Sequence, residues 1–139
     1  MSYRPTRDEL LVHMTHAVSE RSTCNRLNVG AIIARQGRMI TSGYNGPPSG
    51  LPHCVHAAMD GTPCHDAVHA EANAIAFAAR YGSSTEGAEL FVTHSPCVSC
   101  AQLIVQAGIV RVVYSQEYRS LDGLDLLEKA GIETYYGRA

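Results

Sequence analysis

The chain has 139 residues, 45% of them apolar, and a net charge of −2 from 11 basic and 13 acidic side chains. That length suits a single domain over residues 1–139, and the composition excludes a disordered or low-complexity chain. The basic residues are nearly all arginine and are dispersed, which argues against a polynucleotide partner, and no apolar run is long enough to span a membrane.

Met1-Ser2-Tyr3-Arg4-Pro5 runs into a charged helix and does not read as a signal peptide. The expected location is the cytoplasm, or a host cytoplasm for a phage-encoded chain, where cysteines stay reduced and serve metals or catalysis. Thr6-Arg7-Asp8-Glu9 has the form of a capping box. Leu10, Leu11, Met14, Ala17, Val18 and Arg21 then follow helical spacing, which predicts an amphipathic helix to about Ser22. His13 and His16 fall on it as surface or interface residues.

Residues 29–34 are rich in β-branched side chains and predict a strand. Gln36-Gly37 turns the chain, and residues 38–44 return as the second arm of a hairpin. From Asn45 to Asp66 the chain is rich in proline and glycine and long for a plain connection. Segments of that kind are usually functional or pinned.

Alternating alanines over residues 68–81 predict a second helix closed by Gly82. Further strands are expected at 88–93, 109–114 and 132–136. Helices are expected at 97–107, ended by Gly108, and at 121–130, ended by Gly131. A hairpin followed by alternating helices and strands predicts an α/β fold of three layers, α/β/α, with a five-stranded mixed sheet and helices on both faces.

The chemistry concentrates in two short stretches. His69-Ala70-Glu71 supplies an imidazole and a carboxylate, and Pro96-Cys97-Val98-Ser99-Cys100 supplies two thiols able to reach one ion. His69, Cys97 and Cys100 make three ligands for a catalytic zinc and leave a fourth position for water. Glu71 is the candidate acid–base. His-x-Glu followed by Pro-Cys-x-x-Cys is the signature of zinc nucleobase deaminases.

Beyond that signature, the chain resembles the cytidine deaminase superfamily, and more closely its deoxycytidylate (dCMP) deaminases of phage and bacterial type. The likeness rests on residues 22–31 (Ser22-Thr23-Cys24 to Gly30-Ala31), Gly43-Tyr44-Asn45-Gly46, residues 68–75, residues 92–97 and Ala107-Gly108-Ile109. It implies a cytidine-deaminase-like fold and hydrolysis of dCMP to dUMP and ammonia, supplying dUMP for thymidylate. It also implies roles by position. Asn45 would hold the deoxyribose 3′-hydroxyl, the Ala70 N–H would meet the pyrimidine O2, and the Ser95 carbonyl would accept from the amino group. Arg26 and Tyr118 are candidates for the 5′-phosphate. Phe77 and Arg80 are candidates for an effector site or subunit interface, with dCTP as activator and dTTP as inhibitor. A homo-oligomer, hexamer or dimer, is the expected assembly.

Some relatives carry a second, structural zinc, and the resemblance places its ligands at Cys24, Cys54, His56 and Cys64. His53 and His65 remain alternatives for the fourth ligand. Two other activities stay open: another nucleoside or nucleobase deaminase of the superfamily, and a non-catalytic, zinc-stabilised scaffold of competence type.

Overall fold

The computed structural model describes residues 3–24, 26–54 and 66–138. Among these, the elements run α1 (Arg7–Ser19), β1 (Gly30–Arg35), β2 (Arg38–Tyr44), α2 (Ala70–Arg80), β3 (Glu89–His94), α3 (Val98–Gln106), β4 (Arg111–Gln116), α4 (Asp122–Lys129) and β5 (Glu133–Tyr136). The five strands form one sheet in the order β2-β1-β3-β4-β5. β1 is antiparallel to both of its neighbours, whereas β3, β4 and β5 are parallel. The expected mixed sheet is therefore present.

Helices cover both faces. On one, Leu11 and Val12 of α1 pack against Ile32, Ala34, Phe91 and Val113. On the other, α2, α3 and α4 bury Ala74, Ile104 and Leu127 against Ile33, Leu90 and Val112. Alternation along β1 explains the division, since successive side chains of a strand point to opposite faces.

The capping box at the start of α1 forms as expected: Glu9 N–H donates to Thr6 Oγ1 at 3.1 Å, and the Glu9 carboxylate accepts from Thr6 N–H. The buried stripe of α1 differs from the expected one. It consists of Leu11, Val12, Thr15 and Ser19, while Leu10 is 48% exposed. The cause is Gly30. A Cβ there would lie 2.4 Å from Thr15 O and 2.6 Å from Ser19 N, so the helix backbone rests directly on the strand. Small residues suit so close an approach. Their hydroxyls donate back to Leu11 O and His16 O within the helix, so no buried donor is wasted.

A matching approach brings α2 onto β2. A Cβ on Gly43 would fall 2.4 Å from Ala70 O and 2.6 Å from Ala74 N. The alanines of α2 thus serve contact as well as propensity. Gly46 and Val68 exchange backbone bonds, 3.2 Å from Gly46 N and 2.7 Å from Val68 N, and this closes the long segment on itself just before α2.

Strand β4 begins at Arg111, two residues later than expected. The end of α3 uses those residues: Gly108 N–H donates to Val105 O and Ile109 N–H to Ile104 O, which closes the helix in a Schellman pattern. No helix of the described residues is long and apolar enough to cross a membrane.

Candidate active site

The N-termini of α2 and α3 meet beside the carboxyl end of β3, where open α/β sheets form their pockets. His69 is the N-cap of α2 and Cys97 the N-cap of α3. Both have extended backbone, with φ −67°, ψ 150° and φ −73°, ψ 173°, and neither side chain caps its own helix. Sequence pattern places His69 inside the helix, and there it would diverge from Glu71. As the N-cap, with non-helical dihedrals, it can share a site with Glu71.

His69 Nδ1 lies 3.2 Å from Cys100 Sγ and 3.5 Å from Cys97 Sγ. The three donor atoms all fall within 4.8 Å of one another. Ligands around a tetrahedral zinc, with the usual Zn–N and Zn–S bonds, are roughly 3.5–3.8 Å apart. One nitrogen and two sulfurs at this separation therefore fit that ion. Among the described residues this is the cluster that does so.

The electrostatics of the donors agree. The hydrogen bond from Cys100, and then that from His69, lower the Cys97 thiol to about 3. The same bond to Cys97, with burial, pushes Cys100 up, and His69 is raised by its hydrogen bond to Cys97. The cluster thus carries one thiolate and shares its remaining protons. A cation bound by these donors displaces those protons. Helix N-termini at His69 and Cys97 favour negative charge at the same place.

Glu71 is 5% exposed, in the first turn of α2. Burial pushes its carboxyl up to about 7. An acid–base group is most useful when its pKa lies near the working pH.

A cavity of about 250 Å³ opens beside the cluster. Its wall includes Asn45, Ala70, Ser95, Arg26 and Tyr118, the five residues named from resemblance. Ser95 is fixed from both sides: its N–H donates to Gln116 O at 2.8 Å, and its Oγ accepts from Tyr118 N–H at 2.7 Å. The Arg119 guanidinium lies 5.4 Å from the centre of the Tyr118 ring. The wall also contains His94, Val29 and Leu27. Residue type and spacing gave no sign of these last three, apart from the position of His94 within the Ser-Pro-Cys approach.

Phe77 and Arg80 do not line the cavity. Phe77 stacks on Tyr81, with ring centroids 6.3 Å apart, and the Arg80 guanidinium sits 5.8 Å from the same tyrosine ring. Cys24 and Cys54 are both buried, and Cys54 Sγ is 3.8 Å from Thr23 O, next to Cys24 in the chain. His56, Cys64 and His65 lie outside the described residues.

Comparison with known proteins agrees with this geometry. The sequence profile of the cytidine and deoxycytidylate deaminase zinc-binding region matches residues 5–116. ComE operon protein 2 of Bacillus subtilis (strain 168) is 41% identical, over 90% of this chain and 68% of that protein. The deoxycytidylate deaminase of Enterobacteria phage T4 is 36% identical, over 90% of this chain and 86% of that one. Among solved structures, the dCMP deaminase of cyanophage S-TIM5 in complex with dCMP and dUMP superposes with a TM-score of 0.89. It is 38% identical and covers 98% of this chain and 100% of that one.

Proposed function

The chain belongs to the cytidine and deoxycytidylate deaminase family, and from that premise we propose that it hydrolyses dCMP to dUMP and ammonia. The observation that carries the reading is the convergence of His69, Cys97 and Cys100, with the buried Glu71 against them. The named dCMP deaminases among its relatives support the choice of substrate.

His69, Cys97 and Cys100 are the residues to hold the catalytic zinc. When bound, zinc supplies the acidity that makes a water molecule a nucleophile near neutral pH. Glu71 accepts the proton of that water and passes it to N3 of cytosine. As the water oxygen bonds to C4, Glu71 takes the proton left on that oxygen and gives it to the amino group, whose C4–N bond breaks, so that one water is consumed and one ammonia released. In this reading the Ala70 N–H takes O2 and the Ser95 carbonyl takes the amino group; both residues line the cavity, which supports it. Asn45 keeps one amide hydrogen for the 3′-hydroxyl, and Arg26 and Tyr118 take the 5′-phosphate.

A second, structural zinc on Cys24, Cys54, His56 and Cys64 belongs to the same reading. The placement of Cys54 against Thr23 supports it. The reading also includes supply of dUMP for thymidylate, control by dCTP and dTTP at Phe77 and Arg80, a homo-oligomeric assembly and a cytoplasmic location. A non-catalytic scaffold would not need a carboxyl buried against the metal donors.

Ammonia release from dCMP, dCTP, deoxycytidine, cytidine and guanine, measured in parallel on zinc-loaded protein, tests the reaction. The expected result is the highest kcat/KM with dCMP. Release from none of the five substrates sinks the reading in favour of the scaffold.

A further inference from the structure

Of the ionisable side chains in the cavity wall, His94 alone has no task in the chemistry above. It ends β3, one residue before Ser95, and is half-buried. Its Nδ1 lies 2.8 Å from Thr93 Oγ1. That oxygen also accepts from Gly30 N–H at 3.2 Å, which ties it to β1. Gln116, the register partner of His94 on β4, contributes a side-chain hydrogen bond. Burial, and then His16 on α1, lower the pKa of the ring, which favours the neutral form. The imidazole is thus held by Thr93 of its own strand and by Gln116 of β4.

The direction it faces follows from the substrate. In cytosine, C4 lies between N3 and C5. If C4 meets the His69, Cys97 and Cys100 cluster and N3 meets Glu71, the N3–C2 edge runs along α2. The opposite edge, C5 and C6, must then turn towards the end of β3, where the wall is His94 and Ser95.

We infer that His94 is a specificity-determining wall at the C5 edge of the pyrimidine, setting how large a 5-substituent the cytosine nucleotide can carry. The inference rests on the deaminase reading. Its ligands are 5-substituted deoxycytidine monophosphates, ranked by size.

The test compares wild type with His94→Ala and His94→Phe on dCMP and its 5-methyl, 5-bromo and 5-iodo derivatives. Dividing the kcat/KM of each variant by that of wild type on the same substrate cancels the intrinsic reactivity of the ring. For His94→Ala this ratio is expected to rise about tenfold from dCMP to 5-iodo-dCMP, the scale on which one group's volume is discriminated in a tight pocket. For His94→Phe it should fall along the same series. Dissociation constants for dUMP, 5-bromo-dUMP and 5-iodo-dUMP, measured by calorimetry, give a readout independent of turnover and should show the same order. Ratios for both variants that stay flat within about twofold, in turnover and in binding, overturn the role of His94. Failure of wild type to deaminate dCMP removes the deaminase reading instead, and the binding series then decides the wall by itself.

Discussion

Asn45 and Val29 are joined twice: Asn45 N–H donates to Val29 O at 3.2 Å, and Val29 N–H donates to Asn45 Oδ1 at 2.8 Å. Asn45 Nδ2 also donates to Leu27 O at 2.6 Å. The side chain proposed to meet the substrate therefore also fastens the segment before β1 to the end of β2. Truncation removes the acceptor of the Val29 N–H and leaves the Leu27 carbonyl only its longer bond from Ser22 Oγ, at 3.5 Å. Asn45→Ala should cost about 1–3 kcal/mol of stability and raise KM for dCMP. Thermal unfolding and steady-state kinetics on the same preparation check both effects, and an unchanged melting temperature would contradict the first.

Glu71→Gln keeps the size and polarity of the side chain but removes its proton chemistry. Turnover of dCMP is expected to fall by about 10²–10⁴-fold while zinc content stays at the wild-type level. Activity and metal analysis together separate loss of the acid–base from loss of the site. Activity close to wild type would remove Glu71 from its role.

The proposed metal donors come from the N-cap of α2, the N-cap of α3 and the first turn of α3, so deleting any one opens the cluster. Cys97→Ala and Cys100→Ala should lose the catalytic zinc and all measurable turnover. A strong chelator should inactivate wild type, with recovery on adding zinc back. Zinc per chain, by mass spectrometry, also tests the structural site: two ions in wild type, and one fewer in Cys54→Ser with the catalytic ion retained.

Arg111 on β4 joins α1 to the sheet. It pairs with Asp8 of α1 and with Glu89 of β3, the latter at 2.5 Å, and its guanidinium lies 4.7 Å from the centre of the Tyr135 ring. These groups are partly exposed, and solvent screens them. Arg111→Ala should therefore cost only about 1 kcal/mol. The difference from wild type should shrink as salt is raised, which denaturant titration at two ionic strengths would show.

His16 is lowered below the ordinary histidine range, first by burial and then by His13. Its folded state resists a proton that the unfolded chain accepts. The stability it contributes is therefore present above the unfolded pKa, about 6.5, and is lost as pH falls towards the folded value. His16→Gln should lose less stability than wild type between about pH 7.5 and 5.5. Urea midpoints at the two pH values measure the difference, and equal losses would refute it.

Several features of the fold are local and so could be read along the chain. The hairpin follows from β-branched runs around Gln36-Gly37, and both central residues adopt positive φ, 53° and 76°, as a tight hairpin turn requires. The capping box needs only Thr6 and Glu9, three residues apart. The exposed Leu10 and the buried Thr15 and Ser19 were not legible, because hydropathy ranks side chains by transfer energy. Which face of α1 meets the sheet was decided by the missing Cβ of Gly30.

The same division holds for the site. By itself the sequence determined the chemistry: His-x-Glu and Pro-Cys-x-x-Cys hold the identities and near-neighbour spacing of four functional groups, and spacing within a few residues is set by covalent geometry. Only the tertiary structure decided what surrounds them. His94 and Val29 join the wall because β1 and β3 are adjacent in the sheet, and Asn45 is bound to Val29 across sixteen positions. Contacts of that range depend on strand order and register, and these are settled by packing the whole core at once.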